Sequence, residues 1–269
     1  MMYICITNLL WCGVYMTAKI QRMMIIGATS GIGHEVAEVL AAQGVRLALA
    51  GRRVELLREL QQKYGREQIA IAQMDVTEPS SVEALEALLS EVGAPDVLLY
   101  ASGVGKQNPD LDEVRELNTV RTNCEGMVRI VDRFINYVKR EPAYTKQHKA
   151  HVAVITSVAG TMGMGQAPAY SASKSMQSAY IVALAQHVRM QHLPIIFTDI
   201  RPGFVATELL NPAKHYPMLM SKAEAARYII RGIERQKRIV IFDWRFRLIV
   251  ALWRLIPRVL WERITIVKN

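Results

Sequence analysis

A chain of 269 residues is long enough to bury one large core and too short for two full-size enzyme domains. Its 51% hydrophobic and 21% charged residues, with 16 glycines and 10 prolines, exclude a disordered, collagen-like or linker-like chain. Three irregularly spaced cysteines (Cys5, Cys12, Cys124) exclude a disulfide framework and point to the cytoplasm, and a net charge of +9 implies nucleic acid only where basic and aromatic residues cluster, which outside the C-terminus they do not.

Residues 1–18 carry no charge and sit at the lower limit of a membrane-spanning length, but they lack a basic start and a small-residue cleavage site. Residues 1–21 therefore read as a dispensable leader, with Met16 and Met23 as alternative starts, as a segment packed on the domain or a membrane, or as an anchor. From Arg22 onward short aliphatic runs alternate with helical patterns. Strands are expected at 22–26, 45–50, 68–74, 96–100, 151–156, 194–200 and 238–242, and helices near 31–43, 53–64, 80–92, 112–140, 170–192 and 222–236. That order implies an α/β doubly wound parallel sheet of about seven strands with helices on both faces, in one domain over 22–242.

Directly after the first strand the chain reads Gly27-Ala-Thr29-Ser30-Gly31-Ile32-Gly33 and enters a helix. Glycines there permit a tight turn and bring backbone N–H groups and a helix N-terminus to a pyrophosphate, a Rossmann-like arrangement, although the spacing is GxxxGxG rather than GxGxxG. The second strand ends in Ala50-Gly51-Arg52-Arg53, with two guanidiniums and no acid where a carboxylate would bind a ribose hydroxyl, which favours NADP(H) over NAD(H). Asp75-Val76 ends the third strand, where Asp75 reads either as an acceptor for an adenine amino group or as a cap or turn residue.

Ser157 is followed thirteen residues later by Tyr170-Ser-Ala-Ser-Lys174. On a helix, an i to i+4 spacing sets the lysine beside the tyrosine, and a neighbouring cation favours the phenolate of a residue otherwise ionising near 10. A tyrosine and a lysine at that spacing also occur as a plain surface or packing pair.

With these motifs in order, the segment from Arg22 to Phe242 resembles the short-chain dehydrogenase/reductase family. The resemblance implies that Ser157, Tyr170 and Lys174 are the catalytic Ser, Tyr and Lys, and that Asn123 supports a proton-relay water. It also implies that Asp75 contacts adenine and that Arg201-Pro202-Gly203-Phe204-Val205-Ala206-Thr207 holds the nicotinamide carboxamide, with Pro202, Gly203, Val205 and Thr207 as contacts. Lys174 would lower the Tyr170 pKa and hold the nicotinamide ribose. Two positions depart from the family: Ile26 precedes the first glycine in place of Thr, and Ala101-Ser102-Gly103 stands for the usual Asn-Ala-Gly, with Ala101 and Gly103 still placed at the cofactor. The implied activity is NADP(H)-dependent interconversion of a ketone and a secondary alcohol, in the reductive direction, by a homodimer or homotetramer. A catalytically silent NADP-binding module docked on a membrane or partner is the competing class, disfavoured by the presence of Asn123, Ser157, Tyr170 and Lys174 together.

No metal site is expected: His148 and His151 read as polar residues of a loop near a helix-to-strand junction. Met162, Met164, Met218 and Met220 read as an apolar pocket wall or as core filling. Residues 243–269 carry six basic and two acidic side chains and three tryptophans. Within 244–266, Leu248, Ile249, Leu252, Leu255, Ile256, Val259 and Leu260 form an apolar face opposite Arg247, Arg254 and Arg258, and Pro257 divides the helix. The tail reads either as a helix packed on the catalytic domain or across a dimer, or as an amphipathic helix at the inner face of a membrane with Trp253 and Trp261 at headgroup depth. The membrane reading would bring an apolar, lipid-like or 3-keto substrate.

Overall fold

The computed structural model of the chain describes residues 20–211 and 213–264; the expectations for residues 1–19 lie outside them. Alternating aliphatic runs become β1 (Arg22–Ile26), β2 (Arg46–Gly51), β3 (Ile69–Gln73), β4 (Val97–Tyr100), β5 (Ala150–Ile155), β6 (Ile195–Ile200) and β7 (Ile239–Val240). They form one sheet in the order β3-β2-β1-β4-β5-β6-β7, with every neighbouring pair parallel. The helices are α1 (Gly31–Ala42), α2 (Val54–Tyr64), α3 (Ser81–Val92), α4 (Glu113–Val120), α5 (Gly126–Val138), α6 (Pro168–Met190), α7 (Lys222–Glu234), α8 (Trp244–Trp253) and α9 (Arg258–Trp261).

A strand's side chains alternate between faces, so a sheet covered on both sides needs apolar residues at consecutive positions. Met24, Ile26, Leu98 and Tyr100 enter one layer with Leu85 and Leu88 of α3, Ile130 and Phe134 of α5, and Ile181 and Leu184 of α6. Met23, Ile25, Val97 and Leu99 enter the other with Val36 and Leu40 of α1, Leu57 and Leu60 of α2, and Ile229 and Ile233 of α7. The chain runs outward from β1 through β2 to β3, then crosses back to β4 on the other side of β1. At that reversal the loops after β1 and β4 diverge and leave a crevice beyond the strand ends.

Three local expectations change. The helix anticipated over 112–140 is interrupted by a π turn at Arg121–Glu125. The hydrophobic period carries no mark of the extra residue, and such turns gather at functional sites. Second, His151 is a buried strand residue, not a loop residue: it lies in β5, and Nε2 is 2.7 Å from Thr198 Oγ1, whose hydroxyl donates to the Lys237 carbonyl. His148 outside the sheet lies 3.5 Å from Asp96. No cluster that could hold a metal occurs among the described residues.

Third, Trp253 and Trp261 do not point outward. The tail breaks at Pro257, as expected, into α8 and α9. Phe246, Val250 and Trp253 of α8 pack on Val158, Phe204, Met218 and Ile241. Trp253 Nε1 donates to Thr161 Oγ1 at 2.9 Å, and Trp261 Nε1 to the Gly163 carbonyl at 2.7 Å. Both indoles are partly buried, and the loop after β5 supplies an acceptor to each N–H. The tail thus has a face packed on the domain and an opposite apolar face in solvent, including Leu248, Leu252, Leu255, Val259 and Leu260. Among the described residues no helix is long and apolar enough to cross a membrane.

Burial holds the His151 imidazole neutral and depresses its pKa from 6.5 to about 4. The unfolded chain binds the proton more readily, so this contribution to stability is complete above about pH 6.5 and is lost as pH falls toward 4. Urea unfolding at pH 7 and pH 5 should show a drop of about 2 kcal/mol from this group in the wild type. His151→Gln should lack that increment; the same pH dependence in both proteins would contradict the burial argument.

Candidate active site

The crevice is a cleft of about 470 Å³ along the carboxyl ends of the central strands. Its floor at β1 is set by glycine: Gly27 has φ +94°, and a Cβ there would lie 2.6 Å from the Ser102 backbone nitrogen. A Cβ on Gly33 would lie 2.3 Å from the Gly27 carbonyl oxygen, so α1 packs against the turn that precedes it. Ser30 is the N-cap of α1, but its side chain makes no capping bond and no acid occupies the first turn. The unpaired N–H groups and dipole of α1 therefore open beside Ser30, Gly31 and Ile32, which line the cleft with Thr29. That donor set fits an anionic pyrophosphate.

Arg52 and Arg53 line the same cleft and are solvent-exposed, and Arg53 Nη2 donates to the Thr29 carbonyl at 3.3 Å. Gly51 closes β2 under tight contact: a Cβ there would lie 2.5 Å from Thr29 Cγ2, so an acid could enter only if Thr29 moved. Asp75 and Val76 also line the cleft, and Asp75 Oδ1 accepts from the Thr77 backbone N–H and hydroxyl. The turn reading of Asp75 is thus met by Thr77, and the side chain also borders the cleft. Ala101, Gly103, Pro202, Gly203, Val205 and Thr207 complete the wall.

At the other end β5 delivers Ser157 and the start of α6 delivers Tyr170 and Lys174. Ser157 Oγ accepts from the Ala159 N–H at 3.0 Å, which leaves its own hydrogen for the Tyr170 oxygen, to which it is hydrogen-bonded. Pro168 stands in the first turn of α6, and the Glu116 carboxylate accepts from the Ala169 N–H at 2.8 Å, capping the helix and tying it to α4. The loop carrying Ser157 is clamped from β6: Asp199 accepts from Thr156 Oγ1 at 2.5 Å and from both Nε and Nη2 of Arg201. Burial raises the Tyr170 phenol above its ordinary pKa, and the Ser157 hydrogen bond pulls it down.

Lys174 lies 5.8 Å from the Tyr170 ring centroid and is buried. Its Nζ donates to the Ile155 carbonyl at 2.9 Å and to Gln177 Oε1 at 3.0 Å. Desolvation lowers its pKa to about 8, against Cys124 and Asp199, which favour the charged form. The cation is therefore beside the phenol, as the i to i+4 spacing requires, with two of its donors turned to carbonyl oxygens.

Asn123 does not line the cleft but sits behind it, fully buried in the π turn. Its side chain accepts from the Val104 N–H and donates to the Val104 carbonyl and to Ser173 Oγ. Its main-chain carbonyl accepts from Gln177 Nε2 at 2.8 Å. Sequence reasoning missed Gln177, because a single Gln inside a helical pattern has no motif. It also missed Gly105, where a Cβ would lie 2.0 Å from the Tyr170 ring, and Asp199, whose role depends on contacts across the sheet. Of the four methionines, Met218 and Met220 are core filling: Met220 is buried and Met218 packs near Phe246.

A family model described as short chain dehydrogenase matches residues 21–216. An uncharacterized oxidoreductase of Myxococcus xanthus is 28% identical over 246 residues, spanning 89% of this chain and 94% of its own. One from Mycobacterium tuberculosis is 30% identical over 250 residues, spanning 88% and 95%. Dehydrogenase/reductase SDR family member 7B of Xenopus tropicalis is 30% identical over 261 residues, spanning 88% and 82%. A solved short chain dehydrogenase from Burkholderia cenocepacia, in complex with NADP, superposes with a TM-score of 0.76 at 17% identity, covering 92% of this chain and 98% of that one.

Proposed function

Since the chain belongs to the short-chain dehydrogenase family of oxidoreductases, we propose that it interconverts a ketone and a secondary alcohol with NADP(H), working as a reductase of an apolar, lipid-like or 3-keto substrate in the cytoplasm. Residues 22–242 are the unit that does so. The observation that carries the reading is the meeting of Ser157, Tyr170 and Lys174 at one end of a cleft whose other end bears Arg52 and Arg53 and no acid on β2.

When bound, NADPH supplies the hydride for the carbonyl carbon. Tyr170 gives its phenolic proton to the carbonyl oxygen and takes it back in the reverse direction. Ser157, whose oxygen is fixed by the Ala159 N–H, donates to the same substrate oxygen. Lys174 holds positive charge beside the phenol and, with the α1 N-terminus, would bind the anionic and ribose parts of the cofactor. Gly103, Val205 and Thr207 would border the nicotinamide, and Asp75 and Val76 the adenine. The crystallised relative from Burkholderia cenocepacia that binds NADP lends support to this cofactor. Apolar residues exposed on α4 (Val114, Leu117, Val120) and α6 (Val182, Met190) support a homodimer or homotetramer.

A second feature concerns where the enzyme works. The outward face of α8 and α9 sets Leu248, Leu252, Leu255, Val259 and Leu260 in solvent with Arg247, Arg254 and Arg258 also exposed, a combination that suits the surface of an anionic bilayer. Because the inner face packs against the loop after Ser157, a lipid surface there would bring apolar ketones to the cleft.

Three outcomes test this account. Tyr170→Phe should keep NADPH binding, read by fluorescence titration, and lose at least about a hundredfold in kcat on any ketone the wild type reduces; near-normal turnover would remove Tyr170 from the proton step. Arg52→Ala should weaken NADPH binding by roughly tenfold to a hundredfold while leaving NADH unchanged. Equal use of both cofactors by the wild type would overturn the preference. In flotation with anionic vesicles at low salt, the full chain should rise with the lipid and the Leu252→Glu/Leu255→Glu variant should not. A wild type that stays at the bottom of the gradient would dismiss the membrane reading and leave the face to a second copy.

A further inference from the structure

Gln177 follows Lys174 by three residues on α6 and is fully buried. A buried amide is costly unless both of its ends are paired, and packing alone at this position would be served better by an apolar side chain. Here both ends are paired, behind the end of the cleft that Tyr170 and Lys174 line. The carbonyl oxygen accepts from Lys174 Nζ at 3.0 Å, and the NH2 group donates to the Asn123 main-chain carbonyl at 2.8 Å. The orientation is fixed, because a flipped amide would set oxygen against oxygen at Asn123 and nitrogen against ammonium at Lys174. Asn123 is anchored in turn by its own side chain to Val104 and Ser173. A rigid chain of bonds therefore runs from the loop after β4, through the π turn, to the lysine.

An ammonium has three donors. Two are taken, by Ile155 O and Gln177 Oε1, which leaves one for the cleft that Lys174 lines together with Tyr170. The family resemblance implies that Asn123 supports a relay water; in this chain its main-chain carbonyl accepts from the Gln177 amide, which also holds the lysine. We propose that Gln177 is a positioning residue for the proton-transfer step: its amide fixes the Lys174 ammonium in its charged form and turns the remaining N–H toward Tyr170 and the cleft. This rests on the assignment of Lys174 as the cation serving Tyr170.

The groups facing the ammonium are Tyr170 on α6, Cys124 in the π turn and Asp199 on β6. The latter two favour the charged form against burial, and a carbonyl oxygen at hydrogen-bonding distance does the same. Removing that oxygen should let the lysine lose its proton at lower pH, and replacing it by a carboxylate should do the opposite.

The test uses cofactor-free, 15N-lysine-labelled protein, with the Lys174 Nζ signal identified by its loss in Lys174→Ala. Its titration midpoint should fall by about one unit in Gln177→Leu and rise above the wild-type value in Gln177→Glu. In the alcohol-oxidising direction, the acid limb of the kcat/KM profile should move to higher pH in Gln177→Leu, since a less charged lysine leaves the phenol harder to ionise. Unchanged midpoints in the variants would overturn the proposal. If circular dichroism shows that Gln177→Leu does not fold, the midpoint of Gln177→Glu decides alone. The titration is read without turnover, so it answers for Gln177 whether or not Tyr170 proves to be the proton donor.

Discussion

A single buried ammonium organises the end of the cleft where Ser157 and Tyr170 meet. Taking a charge out of water costs several kcal/mol unless oxygen atoms replace the lost hydration. Lys174 obtains them from Ile155 at the end of β5 and from Gln177 one turn along its own helix. Those acceptors exist because β5 ends beside α6 and because the π turn holds Asn123 where it can anchor the amide. Tyr170, one turn before the lysine, then shares the charge's neighbourhood without a salt bridge to quench it. The lysine's pKa of about 8 leaves it charged at neutral pH and close enough to titration that its acceptors matter.

The remaining architecture supplies a cofactor-sized space in front of that charge. The reversal between β1 and β4 opens the crevice, and glycine at 27 and 33 lets α1 approach closely enough to present its N-terminus. At the far end, Gly51 packs tightly against the Thr29 side chain, and Arg52 and Arg53 line the cleft beside it. Asp199, buried between Thr156 and Arg201, ties the strand end before Ser157 to the start of the segment that leads to Pro202. Through Trp253 and Trp261 the tail is joined to the loop after Ser157, which places an exposed apolar face next to the substrate end.

Much of this was legible in the sequence. Parallel strands buried on both faces leave consecutive apolar residues, and the glycine loop and the Tyr170 to Lys174 spacing are local in sequence. What was not legible depends on contacts distant along the chain. The π turn at Arg121–Glu125 leaves hydrophobic periodicity intact, and the burial of His151 depends on Thr198 across the sheet. The tail's apolar stripe was visible, but the residues that turn inward were set by acceptors at Thr161 and Gly163, about a hundred positions earlier. Gln177 carries no motif at all, and its meaning arises from the two oxygen atoms that flank it.

The central claim is that these residues conduct direct hydride transfer to a carbonyl carbon with a proton from Tyr170. The most direct measurement is to incubate the enzyme with NADPH deuterated at the transferring C4 position and with a panel of ketones, from small polar ones to long-chain 3-keto lipids and steroids. The alcohol formed is then examined by mass spectrometry. The account predicts one deuterium on the carbinol carbon of the product, none released to water, and no labelled alcohol from the Tyr170→Phe protein. Deuterium washed into solvent, or no alcohol from any ketone in the panel, would contradict it.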